Sequence, residues 1–408
     1  MKKIFLTSFF LTLFILSIAS CTEPYALQTN AFEDAIVVEA TITNELKKQE
    51  IKLSRTYRFE DNGPKFETGA IVYVKDNLGN QYDFEEINGK YFSVSEFQAV
   101  ANRNYQLHIT TSDGKSYSSS NEKLTTVNPI QSITPSITIR EGVRGVQILV
   151  NSFDPTNTSK YYRFEYEETN KIEAPKWSPN KANGVYTYDQ YGAFTGGYIV
   201  NNPWGRETKI CYTTKKSQNI ILTNTSSLSE DRVNYPVRFI SSQDYIIANR
   251  YSIWVKQYDQ NLQSYTFYKT LKTISSSESI LSQNQPGFLL GNMKSDTNPN
   301  EKVVGFFDVS SYSEKRIFFN YHDVFPGEAF PKYPFDCEID QNNLAKNFKK
   351  FCFNPFDFSC QGTELIDGLN NNQIVLYSVS DLDHEVYPYP CGDCTSFSNN
   401  IRPTFWID

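Results

Sequence analysis

The sequence predicts an all-β protein made of two sandwich-like modules, and three observations carry that expectation. The 408 residues hold 27 Tyr and 30 Phe against 2 Met, a bias that suits strands, where aromatic rings pack on a pleated, half-buried surface. Apolar residues come in short β-branched or alternating runs and do not recur at helical spacing. Turn residues punctuate those runs at short intervals.

The chain opens with a leader over residues 1–20. Lys2 and Lys3 form a positive start, Ile4 to Ile18 an apolar run, and Ala19 and Ser20 the small residues that a signal peptidase reads. The apolar run is shorter than the roughly 20 residues a membrane helix needs. Cys21 follows directly, which resembles a lipobox: the thiol is the nucleophile that takes the lipid. Residues 21–33 read as a lipidated tether, and no cofactor other than that covalent lipid is expected.

From residue 34 the strands follow in order. Ile36-Val37-Val38-Glu39-Ala40-Thr41-Ile42 is β-branched, and 49–55 alternates, with Ile51 and Leu53 opposite Lys52 and Ser54. Residues 70–74 make an apolar strand before the hairpin residues Asp76-Asn77-Leu78-Gly79-Asn80. Segments 82–84, 90–93 and 105–111 continue the pattern, and Ser112-Asp113-Gly114-Lys115 turns the chain before Tyr117. About seven strands in that space predict an immunoglobulin-like β-sandwich over 34–124.

Residues 125–135 read as a linker to a larger domain over 136–408, fibronectin-like or immunoglobulin-like with long insertions. Strands are expected at 146–150, 160–168, 238–240, 251–258 and 265–271, with an insertion at 170–210. Short helices are expected at 226–232 and 342–350. Beyond 275, strands at 303–309, 316–320 and 374–380 are expected to join the second sheet around a cysteine-rich loop at 336–362.

Several pieces together resemble a family of exported lipoproteins grouped as domain of unknown function 4249. They include Ile36-Val37-Val38-Glu39-Ala40, Leu53-Ser54-Arg55-Thr56, Gly69-Ala70-Ile71-Val72-Tyr73-Val74 and Gly89-Lys90-Tyr91-Phe92-Ser93. Later come Gln285-Pro286-Gly287 with Gly291-Asn292, Gly305-Phe306-Phe307, Cys391-Gly392-Asp393-Cys394-Thr395 and Arg402-Pro403-Thr404-Phe405-Trp406. The resemblance implies an outer-membrane location and company with TonB-dependent transporters. It carries no catalytic residues.

Six cysteines remain once Cys21 is lipidated: Cys211, Cys337, Cys352, Cys360, Cys391 and Cys394. An even count in an oxidising compartment reads as disulfides. Cys391-x-x-Cys394 also fits a metal half-site with Cys352 and Cys360, or a redox dithiol. Its Pro388, Pro390 and Gly392 neighbours favour a disulfide staple joining Cys352, Cys360, Cys391 and Cys394. Asp381, Asp383 and Glu385 form a small acidic cluster of the oxygen type calcium takes, without EF-hand spacing.

No motif for nucleophilic, metal-dependent or nucleotide chemistry is present, so a non-catalytic protein is expected. Without Lys2 and Lys3, 37 basic residues face 46 acidic ones, a net charge of −9. Nucleic acid as a partner requires a basic footprint, which is lacking. Trp177, Tyr186, Tyr188, Tyr191, Tyr198 and Trp204 lie among Gly, Asn and Pro and are the expected contact surface. Together these expectations describe a surface-facing outer-membrane accessory that docks a TonB-dependent β-barrel. The alternatives are a subunit of an assembly or secretion complex, and a surface hydrolase or carbohydrate-binding protein.

Overall fold

A computed structural model describes residues 34–57, 63–276, 289, 291–338, 362–379 and 384–408. The leader, Cys21 and the tether lie outside these residues, as do Cys352, Cys360, Asp381, Asp383 and the helix expected at 342–350. The chain is mainly β. It runs β1 (Ile36–Thr43), β2 (Glu50–Arg55), β3 (Ile71–Asp76), β4 (Gln81–Ile87), β5 (Lys90–Ser93), β6 (Asn104–Thr110), β7 (Ser116–Ser119) and β8 (Glu122–Lys123). Then come β9 (Ile130–Arg140), β10 (Val143–Asp154), β11 (Tyr161–Glu173), β12 (Asn180–Tyr188), β13 (Phe194–Pro203), β14 (Ile210–Lys216), β15 (Ile221–Asn224), β16 (Asp231–Ser241) and β17 (Arg250–Gln260). After the helix α1 (Leu262–Ser276) follow β18 (Met293–Ser295) and β19 (Val303–Asn320). The short helix α2 (Tyr321–Val324), α3 (Gly362–Asn370), β20 (Ile374–Val379), β21 (His384–Pro388) and the turn-length α4 (Tyr389–Gly392) complete it.

Period-two burial makes the first module. Ile36, Val38, Ala40 and Ile42 of β1 point inward, as do Tyr105, Leu107 and Ile109 of β6. His108, on the other face of β6, stacks on Tyr73 at 4.9 Å and is structural. The strand order β19-β1-β2-β5-β4-β3-β6-β7-β18 returns on itself. Asn292, just before β18, clasps Phe307 of β19 with its amide: Nδ2 donates to the Phe307 carbonyl and Oδ1 accepts the Phe307 N–H, both at 2.8 Å. The apolar core is thereby enclosed nearly all round.

The second module stacks two sheets. One is β14-β11-β17-β19, with β15 also on β11; the other is β16-β10-β9. Their inner rows, including Val146, Ile148, Val150, Phe164, Ile253 and Val255, form one core. β19 belongs to both modules: Val303 to Ser310 pair in parallel with Ile36 to Thr43, and Ser311 to Asn320 pair antiparallel with Asp259 to Arg250. Gly305 sits at φ +121°, and a Cβ there would lie 2.0 Å from the Val38 carbonyl oxygen. Only glycine fits that crossing.

Four local expectations are corrected. Residues 265–271 are helical within α1: Asn261 accepts the Ser264 N–H on its side chain at 2.8 Å, capping the helix, and buried Ser264 and Tyr265 share a face with Tyr268. The cap and the 3.6 spacing override the strand preference of Tyr and Phe. Residues 226–230 form a turn and 231 begins β16, so no helix lies there. The strands expected at 303–309 and 316–320 are one strand of 18 residues. Of the C-terminal strands, β18 pairs with β7 of the first module and β20 with β21 in a separate hairpin, so only β19 joins the second sheet.

The expected linker is also different. Ile130 already begins β9, and residues 125–128 are fastened to the seam. Thr125 Oγ1 donates to the Asp259 carbonyl at 2.7 Å, and the Asn128 N–H donates to Asp259 Oδ2 at 2.9 Å. Ser311 Oγ of β19 donates to that same Oδ2 at 2.8 Å. Burial pushes the Asp259 carboxyl up to about 7, and the nearby Asp231 carboxylate pushes the same way.

Asp154, which ends β10, is the opposite case. Burial raises its pKa, but donors from Ser159 N, the Thr156 hydroxyl, Thr158 N and Thr156 N outweigh that and hold it well below the usual carboxylate range. Its contribution is therefore present above the unfolded value of about 4 and lost as pH falls below it. Urea midpoints measured between pH 3 and 6 are expected to fall more steeply for the native chain than for Asp154→Asn. Asn292→Ala is expected to lower stability by about 1–3 kcal/mol, because two backbone groups of a buried strand lose their partners; chemical denaturation at neutral pH measures it.

Candidate functional site

The hairpin β12–β13 carries the expected contact residues. Asp189 closes it, its carboxylate accepting from the N–H groups of Tyr191 at 2.8 Å and Ala193 at 2.9 Å. The Asx turn lifts Tyr191 to the tip, where it is 85% exposed. Tyr188 and Tyr198 are also exposed, and Phe194, which sequence reasoning passed over, stands with them. Tyr186 and Tyr188 meet Phe194 edge-on at 5.7 and 6.2 Å, so the rings brace one another.

The lower part of the hairpin is fixed. Asn370 of α3 imitates a strand partner, donating to the Gly184 carbonyl and accepting the Gly184 N–H, both at 3.0 Å. Gly197 permits the approach: a Cβ there would lie 2.3 Å from the Ile366 side chain. Tyr186 donates to Asp367 at 2.6 Å, and burial together with that bond pushes its phenol up to about 12. Ala182, Leu365, Leu369, Leu376 and Val386 form a small core beneath.

The two tryptophans are structural. Trp177 Nε1 donates to Thr208 Oγ1 at 3.0 Å beside the Cys211 and Cys394 side chains. Trp204 Nε1 donates to the Ser178 carbonyl at 2.8 Å. The expected surface thus divides into a rigid base holding Trp177, Trp204 and Tyr186, and an exposed tip with Tyr188, Tyr191 and Tyr198.

Two disulfides anchor that base, and they correct the expected staple. Cys394 pairs with Cys211 of β14, and Cys391 pairs with Cys337. Cys391 lies in α4, and Asp393 then turns the chain, its side chain accepting the Thr395 N–H at 2.8 Å. The turn sends the two sulfurs to partners far apart in sequence. Neither is available as a metal half-site or redox dithiol. Glu385 accepts from Ser378 Oγ and the Tyr387 hydroxyl, both at 2.5 Å, and these bonds lower its pKa. Among the described residues no group of three or more His, Cys, Asp or Glu is arranged to hold a metal.

A cleft of about 740 Å³, which sequence reasoning missed, lies along the seam. It is lined by Val37 and Thr41 of β1 together with Arg163, Tyr258, Phe267 and Phe306. The Arg163 guanidinium is ion-paired to Glu165 and stacks between Tyr258 at 4.1 Å and Tyr268 at 4.7 Å. No helix among the described residues is long and apolar enough to cross a membrane, which leaves crossing by strands untouched.

A family model described as Domain of unknown function (DUF4249) matches residues 22–316. No curated protein sequence matches the chain. Among solved structures, a biofilm-associated protein BSP domain aligns at 8% identity over 69% of this chain and 58% of its own length. Its TM-score is 0.10, so that likeness carries no argument.

Replacing Cys211 and Cys394 by Ala is expected to lower stability by about 2–4 kcal/mol. Non-reducing peptide mapping is expected to recover the pairs 211–394 and 337–391.

Proposed function

The chain belongs to the Domain of unknown function (DUF4249) family, and we propose that it is a non-catalytic, lipid-anchored outer-membrane protein that docks a TonB-dependent β-barrel transporter. The observation that carries this reading is the hairpin tip: exposed Tyr188, Tyr191 and Tyr198 mounted on a base fixed by α3 and two disulfides. Aromatic rings dominate binding energy at protein interfaces, and Tyr188, already braced by Tyr186 and Phe194, loses little freedom on docking. Cys21, directly after the leader, carries the lipid anchor in this reading, and the net charge of −9 of the processed chain disfavours an anionic lipid or nucleic-acid partner.

The test is a mild-detergent purification of the tagged, natively expressed protein, with stoichiometric partners identified by mass spectrometry. A TonB-dependent barrel is expected. The double variant Tyr188→Ala/Tyr191→Ala is expected to weaken its recovery at least about tenfold with Tm unchanged. Assembly or secretion components in place of the barrel would move the protein to that machinery, and recovery indifferent to the hairpin would sink the docking surface.

A further inference from the structure

The inner rows of the second module turn polar at the end nearest the linker. Along β17 the inward side chains run Tyr251, Ile253, Val255, Gln257 and Asp259; β10 ends in Ser152 and Asp154, and β16 starts at Asp231. Asn128 closes this end. Its Nδ2 donates to the Tyr162 hydroxyl at 2.9 Å, and Tyr162 donates to Asp231 Oδ1 at 2.8 Å. Thr225 donates to the same Oδ1 at 2.5 Å. Gln257 Nε2 donates to the Asn128 carbonyl at 2.6 Å and to Asp259 Oδ1 at 3.0 Å.

That network has too few donors. Asp231 Oδ2, Asn128 Oδ1 and Gln257 Oε1 are buried without a partner, on residues no more than 1% exposed. Asp231 and Asp259 have no ion-pair partner among the described residues, although each is almost wholly buried. Asp154, by contrast, is surrounded by donors, and Asp308, whose Oδ1 is likewise unpartnered, has the positive Arg163 guanidinium nearby. Buried charge without compensation is strongly unfavourable.

We propose that this end of the core binds a calcium ion, held by Asp231 and Asp259 together with the side-chain amide oxygens of Asn128 and Gln257. A water molecule brings two donors but leaves both carboxylates without a countercharge, and a proton satisfies one oxygen and one charge. A divalent cation neutralises both carboxylates and coordinates the unpartnered oxygens. The ligand atoms are all oxygen, and most come from protein. Calcium accepts six to eight such oxygens in irregular geometry, whereas magnesium demands a near-ideal octahedron and retains water. The site joins the linker through Asn128, β16 through Asp231 and β17 through Gln257 and Asp259, so binding the ion ties together segments far apart in sequence. It has only two carboxylates, which distinguishes it from clusters of three or more acidic or imidazole ligands. The proposal does not depend on the docking partner.

The experiment uses the mature chain, stripped with EDTA and returned to calcium chloride or magnesium chloride. Elemental analysis is expected to find one calcium per chain after desalting. Saturating calcium is expected to raise Tm by about 5 °C, with no matching rise in magnesium, and Asp231→Asn is expected to abolish the rise. Because Asp231→Asn risks misfolding, terbium is also added to the stripped native chain. Emission excited through tyrosine and displaced by calcium is expected, since the Tyr162 hydroxyl donates a hydrogen bond to Asp231. Absence of bound calcium, of the Tm rise and of displaceable terbium emission would overturn the proposal and assign the oxygens to a proton or water. Calcium binding retained in a folded Asp231→Asn chain would overturn the assigned ligands.

Discussion

Strand β19 holds the architecture together, because its backbone completes two cores at once. Its first half runs parallel to β1 and its second half antiparallel to β17. Each half of β19 has one strand neighbour, so the N–H and C=O groups of that ladder are satisfied only while that neighbour stays in register. Separating the modules would therefore strip ladder bonds from one or both cores. The glycine at 305 shows how closely the first half is built, and Ser311 shows the second half reaching the polar end of the other core through Asp259. The modules have separate hydrophobic clusters but share backbone, which makes their relative placement a property of hydrogen bonding more than of side-chain packing.

Much of this was legible in the sequence where one face of a strand is buried. Alternation in β2 locates both the strand and its inward face, the β-branched run locates β1, and the turn residues at 76–80 and 112–115 locate the reversals. The helix α1 was not legible as such, because its Tyr and Phe content suits a strand; the deciding signal was Asn261 as a cap, with the buried side of Ser264, Tyr265 and Tyr268 behind it. Parallel pairing of β1 with a strand more than 260 residues later leaves no local trace. Disulfide partners are equally silent: Cys211 and Cys394 are 183 residues apart, and spacing within a CxxC run says nothing of which distant strand each sulfur meets.

The exposed tip and the polar core end were legible to different degrees. Asp189 and Gly192 announce a turn, and tyrosines beside such a turn are natural candidates for exposure. Sequence alone gives Trp177 and Trp204 the same standing, yet their indole N–H groups find Thr208 and the Ser178 carbonyl and they pack at the base. A large ring with a polar handle serves either place, and the presence of an internal acceptor decides which. The polar end of the core has a clearer signature: Gln257 and Asp259 continue the inward period of Ile253 and Val255, where an apolar residue would be the default.

Inward polar residues at that position are better understood as a junction than as a defect in packing. An apolar cap would bury more surface but would fix no particular partner, since hydrophobic contact is non-directional. Asp259 instead distinguishes its neighbours: it takes one bond from the linker backbone, one from β19 and one from Gln257 of its own strand. Each bond requires the donor in one place, so the carboxylate sets the register among three segments at once. The same directional logic operates at the hairpin base, where Asn370 matches both polar groups of Gly184. In both places a short polar side chain substitutes for a strand partner and converts a loose contact between distant segments into a defined geometry. The apolar cores supply the bulk of the stabilisation, while these few polar contacts fix how segments distant in sequence meet.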